Sequence, residues 1–226
     1  MIKLFNLIFF IKKIPKKSIS HFKKNITVWG RKNYREFTWR SSTTDYQILV
    51  AEILLQRTKA KQVESTYLEF LDEYPNFDAL NKAEITEIEK QLYPLGLFKE
   101  RAMRLKQLSA IITKDYDNNI PTDLLILKKL PGIGEYVARA FLCFGKNKRI
   151  AIIDANVVRL YKRYFGIKTK SELRRNKTFI ELVDSILPNK AKEFNYAILD
   201  FTNKICKPRI PDCNNCPLVK YCKQNI

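Results

Sequence analysis

Helical hydrophobic periodicity is the feature that most restricts what this chain can fold into. From residue 43 onward, apolar residues recur at three- and four-residue spacing, and two-residue alternation is nearly absent apart from the ambiguous run Arg149–Ile153. Thr43 or Thr44 is suited to cap a first helix from Asp45, and a second helix stops before Pro75. Further helices are predicted over Ala83–Tyr93, Lys99–Tyr116, Thr122–Lys129, Glu135–Phe144, Asn156–Phe165, Ser171–Leu187 and Lys190–Lys204. The pattern predicts an all-α protein without internal repeats.

Composition restricts the partners and excludes several classes of protein. Hydrophobic residues make up 46% of the chain, which is enough for a core and excludes disorder throughout. Lys and Arg number 42 against 23 Asp and Glu, so the net charge is +19. This surplus indicates a polyanionic partner, most simply nucleic acid, although plain surface charge is the alternative. The single histidine, His21, argues against zinc chemistry built on histidine clusters.

The first thirteen residues superficially look like a secretion signal. Asn6 interrupts their apolar run, no small-residue cleavage site follows, and the run is shorter than the ~20 residues that span a bilayer. We expect this segment to pack on the domain or to reflect a misassigned start, with a peripheral membrane anchor as the alternative. The sequence therefore predicts a cytoplasmic, nucleoid-associated protein that does not enter a membrane.

A short hairpin lies between two predicted helices. It reads Leu130-Pro131-Gly132-Ile133-Gly134, and its two glycines permit a tight turn with free amides at the start of the next helix. Such a helix N-terminus binds phosphate well, through those amides and the helix dipole. A plain helix–helix turn is the alternative, but the net charge favours a clamp on the DNA backbone.

Four cysteines lie close together near the C-terminus: Cys206, Cys213, Cys216 and Cys222, at 6-2-5 spacing. Four thiolates at such spacing suit an iron–sulfur cluster or structural zinc, and spacing alone leaves both open. Disulfides are disfavoured without a secretion signal. Cys143 stands apart in an apolar helix and is expected to be a small buried hydrophobe.

The hairpin, the run Ile152–Val157 and the cysteine spacing together resemble the endonuclease III superfamily of DNA glycosylases, over about residues 30 to 222. The resemblance implies two helical domains. One is a six-helix barrel with a helix-hairpin-helix motif at residues 41–148; the other is a cluster domain formed from residues 1–40 and 149–226. The resemblance also implies a 4Fe-4S cluster on the loop 206–222, which favours iron–sulfur over zinc.

Three features indicate the branch of that superfamily. Bifunctional members have a Schiff-base lysine at the position of Tyr136, where adenine glycosylases usually have serine and thymine-releasing mismatch glycosylases have tyrosine. Leu97 is typical of the mismatch branch, whereas the adenine branch has tyrosine there. Adenine glycosylases also generally have a C-terminal domain for 8-oxoguanine, whereas this sequence ends four residues after Cys222. The resemblance therefore implies release of thymine, or uracil, opposite guanine, without strong AP-lyase activity.

The resemblance also implies catalytic roles for Glu52, Asp154 and Tyr136. A carboxylate near the sugar stabilises an oxocarbenium-like transition state, and Asp154 directly precedes a helix, where it can also serve as an N-cap. Glu52 lies on an otherwise apolar helix stretch, where burial would raise its pKa and suit it to protonate or hydrogen-bond the departing base, or to position the water. A partly exposed charge on the helix is its alternative role. Tyr136 is expected to wall the base pocket, and simple packing is its alternative role.

The expected partner is double-stranded DNA that contains a mismatched or damaged base, bound by a monomer. Arg57 occupies the position at which the family inserts a side chain into the space vacated by the flipped base, with a phosphate contact or a solvated helix end as the alternative. Leu97 occupies the position that wedges the opposite strand. Leu130, Gly132, Ile133 and Gly134 form the expected backbone clamp. The lysines that flank it, Lys128, Lys129, Lys146 and Lys148, are expected to neutralise phosphates.

Two other functions remain open from sequence. One is an adenine DNA glycosylase acting on adenine opposite 8-oxoguanine or guanine. The other is a DNA-binding protein that uses the hairpin without catalysis, although the presence of both Glu52 and Asp154 argues against it.

Overall fold

The computed structural model describes residues 14–41 and 44–224. Within these residues the chain forms α-helices and short 3-10 turns and no strands, which confirms the all-α prediction. The α-helices are, in chain order, α1 (Lys16–Lys32), α2 (Asp45–Leu54), α3 (Ala60–Glu73), α4 (Phe77–Lys82), α5 (Ile85–Leu92), α6 (Phe98–Tyr116), α7 (Leu124–Leu127), α8 (Glu135–Phe144), α9 (Ala155–Phe165), α10 (Lys177–Ile186) and α11 (Ala191–Lys204). Two predictions fall outside the described residues. They concern the N-terminal segment, residues 1–13, and the helix cap at Thr43.

Three elements differ from the sequence prediction. Helix α1 was not predicted, although Ser18, Phe22, Ile26 and Gly30 are buried at four-residue spacing along it. Helix α4 was also not predicted, because its six residues are too few to show a period. Helix α10 begins several residues later than predicted, since the side chain of Asn176 accepts a hydrogen bond from an amide of its first turn and sets the N-cap there.

The chain divides into two compact units, and the first, the central unit, comprises Glu36–Lys146. In it, α2 packs on α3 and α8, while α6 packs on α4 and α5. Helix α2 starts with a capping box, in which Thr44 and Gln47 each bond the other's backbone amide. The interior of this unit is apolar; its buried side chains include Leu49, Leu54, Val63, Tyr67, Phe70, Leu105, Leu108 and Phe141.

The second unit, the terminal unit, comprises the described residues of Met1–Arg35 together with Asn147–Ile226. Here α1 packs along α11. The two helices approach closely at Gly30, where an added Cβ atom would lie 2.3 Å from the Cβ of Ala197. Arg35 fastens the end of this pair, since its Nε donates at 2.6 Å to the buried carboxylate of Asp200. The assignment of the two units as a six-helix barrel and a cluster domain stays a prediction.

Residues 14–41 and 44–224 contain no helix that is both long enough and apolar enough to cross a membrane.

Candidate functional site

Glu52 is a buried carboxyl group on α2 of the central unit. Its neighbours on the helix, Ala51 and Ile53, are buried and apolar, and only 4% of Glu52 is exposed. Its Oε2 atom makes no hydrogen bond to any described residue. Burial raises its pKa to about 8, against the opposing effect of the Arg40 guanidinium. The neutral acid is therefore the main form at pH 7, and it has a proton to donate.

Arg57 and Leu97 lie on turns that line one cavity of the central unit. The cavity has a volume of about 310 Å³ and is also lined by Gln56, Glu100, Arg101, Arg104 and Gly134. Leu97 leaves 51% of its surface exposed, so its side chain is accessible to a partner. The structure thus brings the two expected wedge residues and the last glycine of the hairpin to the same cavity.

The hairpin is fixed from inside the central unit. Leu130 and Ile133 are buried, and the amide of Ile133 donates to the carbonyl of Leu130 at 3.1 Å. The side chains of these two residues therefore shape the hairpin and do not lie on its surface. Gly132 has φ of +76°, a conformation that favours glycine.

Gly134 is the N-cap residue of α8, with φ of −87°. Ordinary residues adopt this conformation, and a Cβ atom added to Gly134 would meet no heavy atom within 4 Å. The first amides of α8 lack intrahelical acceptors, as at every helix N-terminus. Gly134 therefore leaves open space beside a set of donors suited to a phosphate.

Two of the four lysines expected to bind phosphate form ion pairs within the central unit. Lys128 lies 2.5 Å from Glu135, whose carboxylate also bonds Arg139. Burial raises the pKa of Glu135, but its bonds to Lys128 and Arg139 outweigh that effect and lower the pKa overall. Lys146 pairs with Asp45. The positive charge near the hairpin is thus partly neutralised by the protein itself.

Tyr136 is the second residue of α8 and is partly buried. It stands directly after Glu135, in the first turn that follows the hairpin. The structure places a phenol, and no amine, at this position of the chain.

Asp154 is the N-cap of α9 in the terminal unit, so its expected capping role is observed. Its Oδ1 accepts from the Val157 amide at 2.7 Å, and its Oδ2 accepts from the side-chain amide of Asn156 at 2.7 Å. Asn156 in turn accepts from Arg159 at 2.7 Å. Both carboxylate oxygens of Asp154 are therefore held in place, and the side chain remains partly exposed.

The four C-terminal cysteines line one cavity of the terminal unit, which is otherwise mainly apolar. No cysteine in the chain forms a disulfide, and Cys143 is buried elsewhere, within α8. Burial raises the pKa of Cys216 to about 11 and also raises that of Cys222. Among the described residues, no three His, Cys, Asp or Glu side chains are placed to hold one metal ion.

Sequence analysis missed Arg101, a buried guanidinium on α6. It donates to the carbonyl of Gln56 at 3.1 Å and to the hydroxyl of Thr58 at 3.0 Å, on either side of Arg57. The sequence signal was an arginine beside Ala102 and four residues before Leu105 on the buried face of a helix. Periodicity marks such a residue as buried but does not identify its acceptors.

Known proteins are similar to this chain in sequence and in fold. Residues 50–184 match the family model described as HhH-GPD superfamily base excision DNA repair protein. The thymine/uracil-DNA glycosylase of Methanothermobacter thermautotrophicus is 36% identical over 198 residues, which cover 87% of this chain and 89% of that protein. A solved thermostable thymine-DNA glycosylase matches with a TM-score of 0.88 at 35% identity, over 92% of this chain and 96% of that one.

Relatives of lower sequence identity include proteins named as adenine DNA glycosylases. An adenine DNA glycosylase of Mycobacterium tuberculosis (strain ATCC 25618 / H37Rv) is 30% identical over 199 residues, which cover 86% of this chain and 64% of that protein. The family match spans more than half of this chain and includes Glu52, the hairpin and Asp154. The chain therefore belongs to the HhH-GPD superfamily of base excision DNA repair proteins.

Proposed function

We propose that this protein is a monofunctional DNA glycosylase that hydrolyses the bond between deoxyribose and a thymine or uracil paired with guanine. The observation that carries the proposal is the buried carboxyl group of Glu52, held neutral on an otherwise apolar helix. An unpaired carboxyl group in such surroundings is costly for folding, which favours a role in chemistry. The names of the relatives with 35–36% identity favour thymine and uracil as the released bases.

Glu52 supplies the proton in this scheme. When the C1′–N1 bond breaks, the bonding electrons leave with the base, and a proton from the carboxyl group neutralises the departing anion. An acid with a pKa of about 8 remains protonated at neutral pH and can therefore act in that form.

Asp154 stabilises the sugar as it becomes cationic. Its carboxylate accepts one bond at each oxygen, so its charge is oriented before the reaction begins. Water then adds to C1′ and loses a proton, which leaves an abasic sugar in an intact strand. Strand cleavage by a lyase requires an amine that forms an imine with the opened sugar, and the phenol of Tyr136 cannot form one.

The hairpin binds the DNA backbone in this proposal. The open space at Gly134 and the positive end of the α8 dipole suit a phosphate, which carries no sequence information. We expect the protein to act as a monomer on chromosomal DNA in the cytoplasm.

The cysteine loop holds a 4Fe-4S cluster in this proposal, with Cys206, Cys213, Cys216 and Cys222 as ligands. A zinc site needs all four sulfur atoms about 2.3 Å from one ion, whereas each cysteine of a 4Fe-4S cluster binds a different iron. The observation that supports a bound group here is that four thiols line one largely apolar cavity. When bound, the cluster cross-links the loop and so orders it.

Replacing Asp154 with asparagine tests the proposed reaction. Asparagine caps a helix about as well as aspartate, so stability and mismatch binding should remain near those of the wild type. The rate of thymine release under single turnover should fall by about two orders of magnitude or more, because the carboxylate acts on the transition state. The measurement uses duplexes with G·T, G·U and adenine opposite 8-oxoguanine.

Borohydride trapping with the wild-type protein is the companion experiment. Little covalent adduct should form, and abasic strands should stay intact until treated with alkali. An adduct that forms as fast as the base is released would reveal an active-site amine. Release of adenine alone would instead support the adenine glycosylase.

Glu52→Gln should change the dependence of stability on pH. Because folding raises the pKa of Glu52 from 4.5 to about 8, the wild type loses stability relative to the variant as the pH rises between these values. The slope within this window is up to about 1.4 kcal/mol per pH unit. Urea unfolding of both proteins at pH 5 and pH 8 measures the difference.

Glu52→Gln should also slow base release and abolish the decline of the rate at high pH. The wild-type rate should decline as the pH rises through about 8, where the proton of Glu52 is lost. The variant should be slow and show no such decline. A variant that keeps the decline near pH 8 would mean that another group titrates there.

Gly134→Ala tests the hairpin. Because its Cβ atom would meet nothing within 4 Å and φ is −87°, the variant should fold, and its stability should change by no more than about 1 kcal/mol, since the poorer N-cap formed by alanine opposes the gain from a less flexible backbone. Its binding to matched and mismatched duplexes should weaken alike, about tenfold, since the methyl group occupies the space for a phosphate. Fluorescence anisotropy at several salt concentrations measures this, and an effect confined to mismatched DNA would contradict it.

Purified protein should be yellow-brown and contain about four irons, when prepared without oxygen. Replacing any of the four loop cysteines with alanine should lower the iron content. Cys143→Ala is the matched control, because this thiol is buried in α8 and should leave the iron unchanged. Stoichiometric zinc without iron would refute the cluster.

A further inference from the structure

Arg57 and Leu97 share an uncommon backbone conformation. Among the described residues, five other than glycine have positive φ, and three of these are Asp or Asn, which tolerate it. The other two are Arg57, with φ of 58°, and Leu97, with φ of 51°. Both line the same cavity of the central unit. Such strain persists only where the surrounding structure imposes it, and it is common at functional sites.

One side chain accounts for the turn at Arg57. The guanidinium of Arg101 donates to the carbonyl of Leu54 at 2.5 Å, where α2 ends. It also donates to the carbonyl of Gln56 at 3.1 Å and the hydroxyl of Thr58 at 3.0 Å. The residues on both sides of Arg57 are therefore bound to a single rigid, planar group.

The same arginine is linked to the turn at Leu97 through the side chain of Thr58. The backbone amide of Arg101 also donates to the carbonyl of Leu97 at 3.0 Å, but this is the ordinary first bond of α6 and does not depend on the side chain. The hydroxyl of Thr58, which accepts from Arg101, lies 3.3 Å from the carbonyl of Leu95 and can donate to it. The guanidinium of Arg101 thus holds the turn at Arg57 directly and the turn at Leu97 through Thr58, and Arg101 is 6% exposed, so water does not compete for its bonds.

We propose that Arg101 is a positioning residue that holds Arg57 and Leu97 in the conformation in which they enter the DNA. The proposal rests on the proposed function, in which these two side chains replace the flipped base and wedge the opposite strand. A side chain on a mobile turn would lose conformational freedom on insertion, which would weaken its effect. Here that freedom is already lost on folding, because Arg101 fixes both turns in the free protein.

The experiment compares Arg101→Met with a matched control, Lys106→Met. Lys106 lies on the same helix, and its ammonium group likewise donates to two carbonyls at a helix end, those of Asn81 and Ala83. These carbonyls belong to the end of α4 and are not among the residues that line the cavity. Both variants should lose stability, so all assays use a temperature at which circular dichroism shows both folded.

Two readouts separate positioning from stability. The first is the fluorescence of 2-aminopurine placed next to a G·U mismatch, which rises when the neighbouring base is unstacked. The second is the ratio of single-turnover uracil release from an intact duplex to release from a three-base bubble, where the bases are already unpaired. Arg101→Met should lose most of the fluorescence rise and lower this ratio about tenfold, since unstacking by the wedge is needed only in the duplex.

The control and two milder variants complete the test. Lys106→Met should keep the wild-type fluorescence rise and ratio. Arg101→Lys retains a cation and should recover part of both. Thr58→Val removes only the hydroxyl link between the turns and should lower both readouts even if Arg101→Met does not fold. An unchanged ratio in every folded variant at Arg101 and Thr58 would overturn the inference.

The outcomes also separate this inference from the proposed function. If the wild type unstacks the neighbouring base but releases no uracil or thymine, the proposed reaction is wrong, and the fluorescence still tests Arg101. If the wild type does not unstack that base, Arg57 and Leu97 are not wedges, and the inference falls. Base release by the wild type with an unchanged ratio in the variants overturns the inference alone.

Discussion

Every α-helix ends in carbonyl groups that its own backbone cannot satisfy, and at three helix ends in the described part of this chain a buried or partly buried cation satisfies them. Arg101 donates at the end of α2, Lys106 at the end of α4, and Arg159 at the carbonyls of Thr202 and Cys206, where α11 ends. These bonds fix the backbone where each helix ends and the next turn begins. Residues of the candidate site lie on such turns. These bonds also direct some of the positively charged groups at the protein itself. The net charge of +19 therefore overstates the positive charge that is available to bind DNA.

The departures from ordinary local chemistry are concentrated at the candidate site. Glu52 is an unpaired carboxyl group in an apolar interior, and Arg57 and Leu97 adopt a conformation that their side chains disfavour. Elsewhere the central unit has a capping box at Thr44 and an apolar core, and Oε1 of Gln91 is a further buried atom without a hydrogen bond there. In most of a protein, local propensity, core packing and polar pairing favour the same structure. Exceptions to this agreement are tolerated where function requires them. These exceptions therefore identify a candidate site independently of the size of any cavity.

Local patterns predicted the fold well, and tertiary bonds explain what they could not predict. Helices α2, α6, α8 and α9 were visible because long apolar stripes mark them, whereas α1 is so rich in lysine that its buried stripe was overlooked. Glu52 and Asp154 could be selected because each belongs to a contiguous motif. Arg101 could not, since its side-chain acceptors lie 43 to 48 residues away in sequence and meet it only in the folded unit. A single sequence shows that a cation is buried, but not which carbonyls it satisfies.

Asp154 and the cysteine loop are joined by the same kind of bond. Arg159 donates to the carbonyl of Cys206 at 2.8 Å and to the side-chain oxygen of Asn156 at 2.7 Å. Because the amide oxygen of Asn156 faces Arg159, its NH₂ group is directed at Asp154, which accepts it at 2.7 Å. The orientation of the carboxylate therefore depends on an arginine whose other acceptors are the carbonyls of Thr202 and of Cys206, the first residue of the cysteine set. A change in the path of the loop at Cys206 would therefore reach Asp154 through two side chains, those of Arg159 and Asn156.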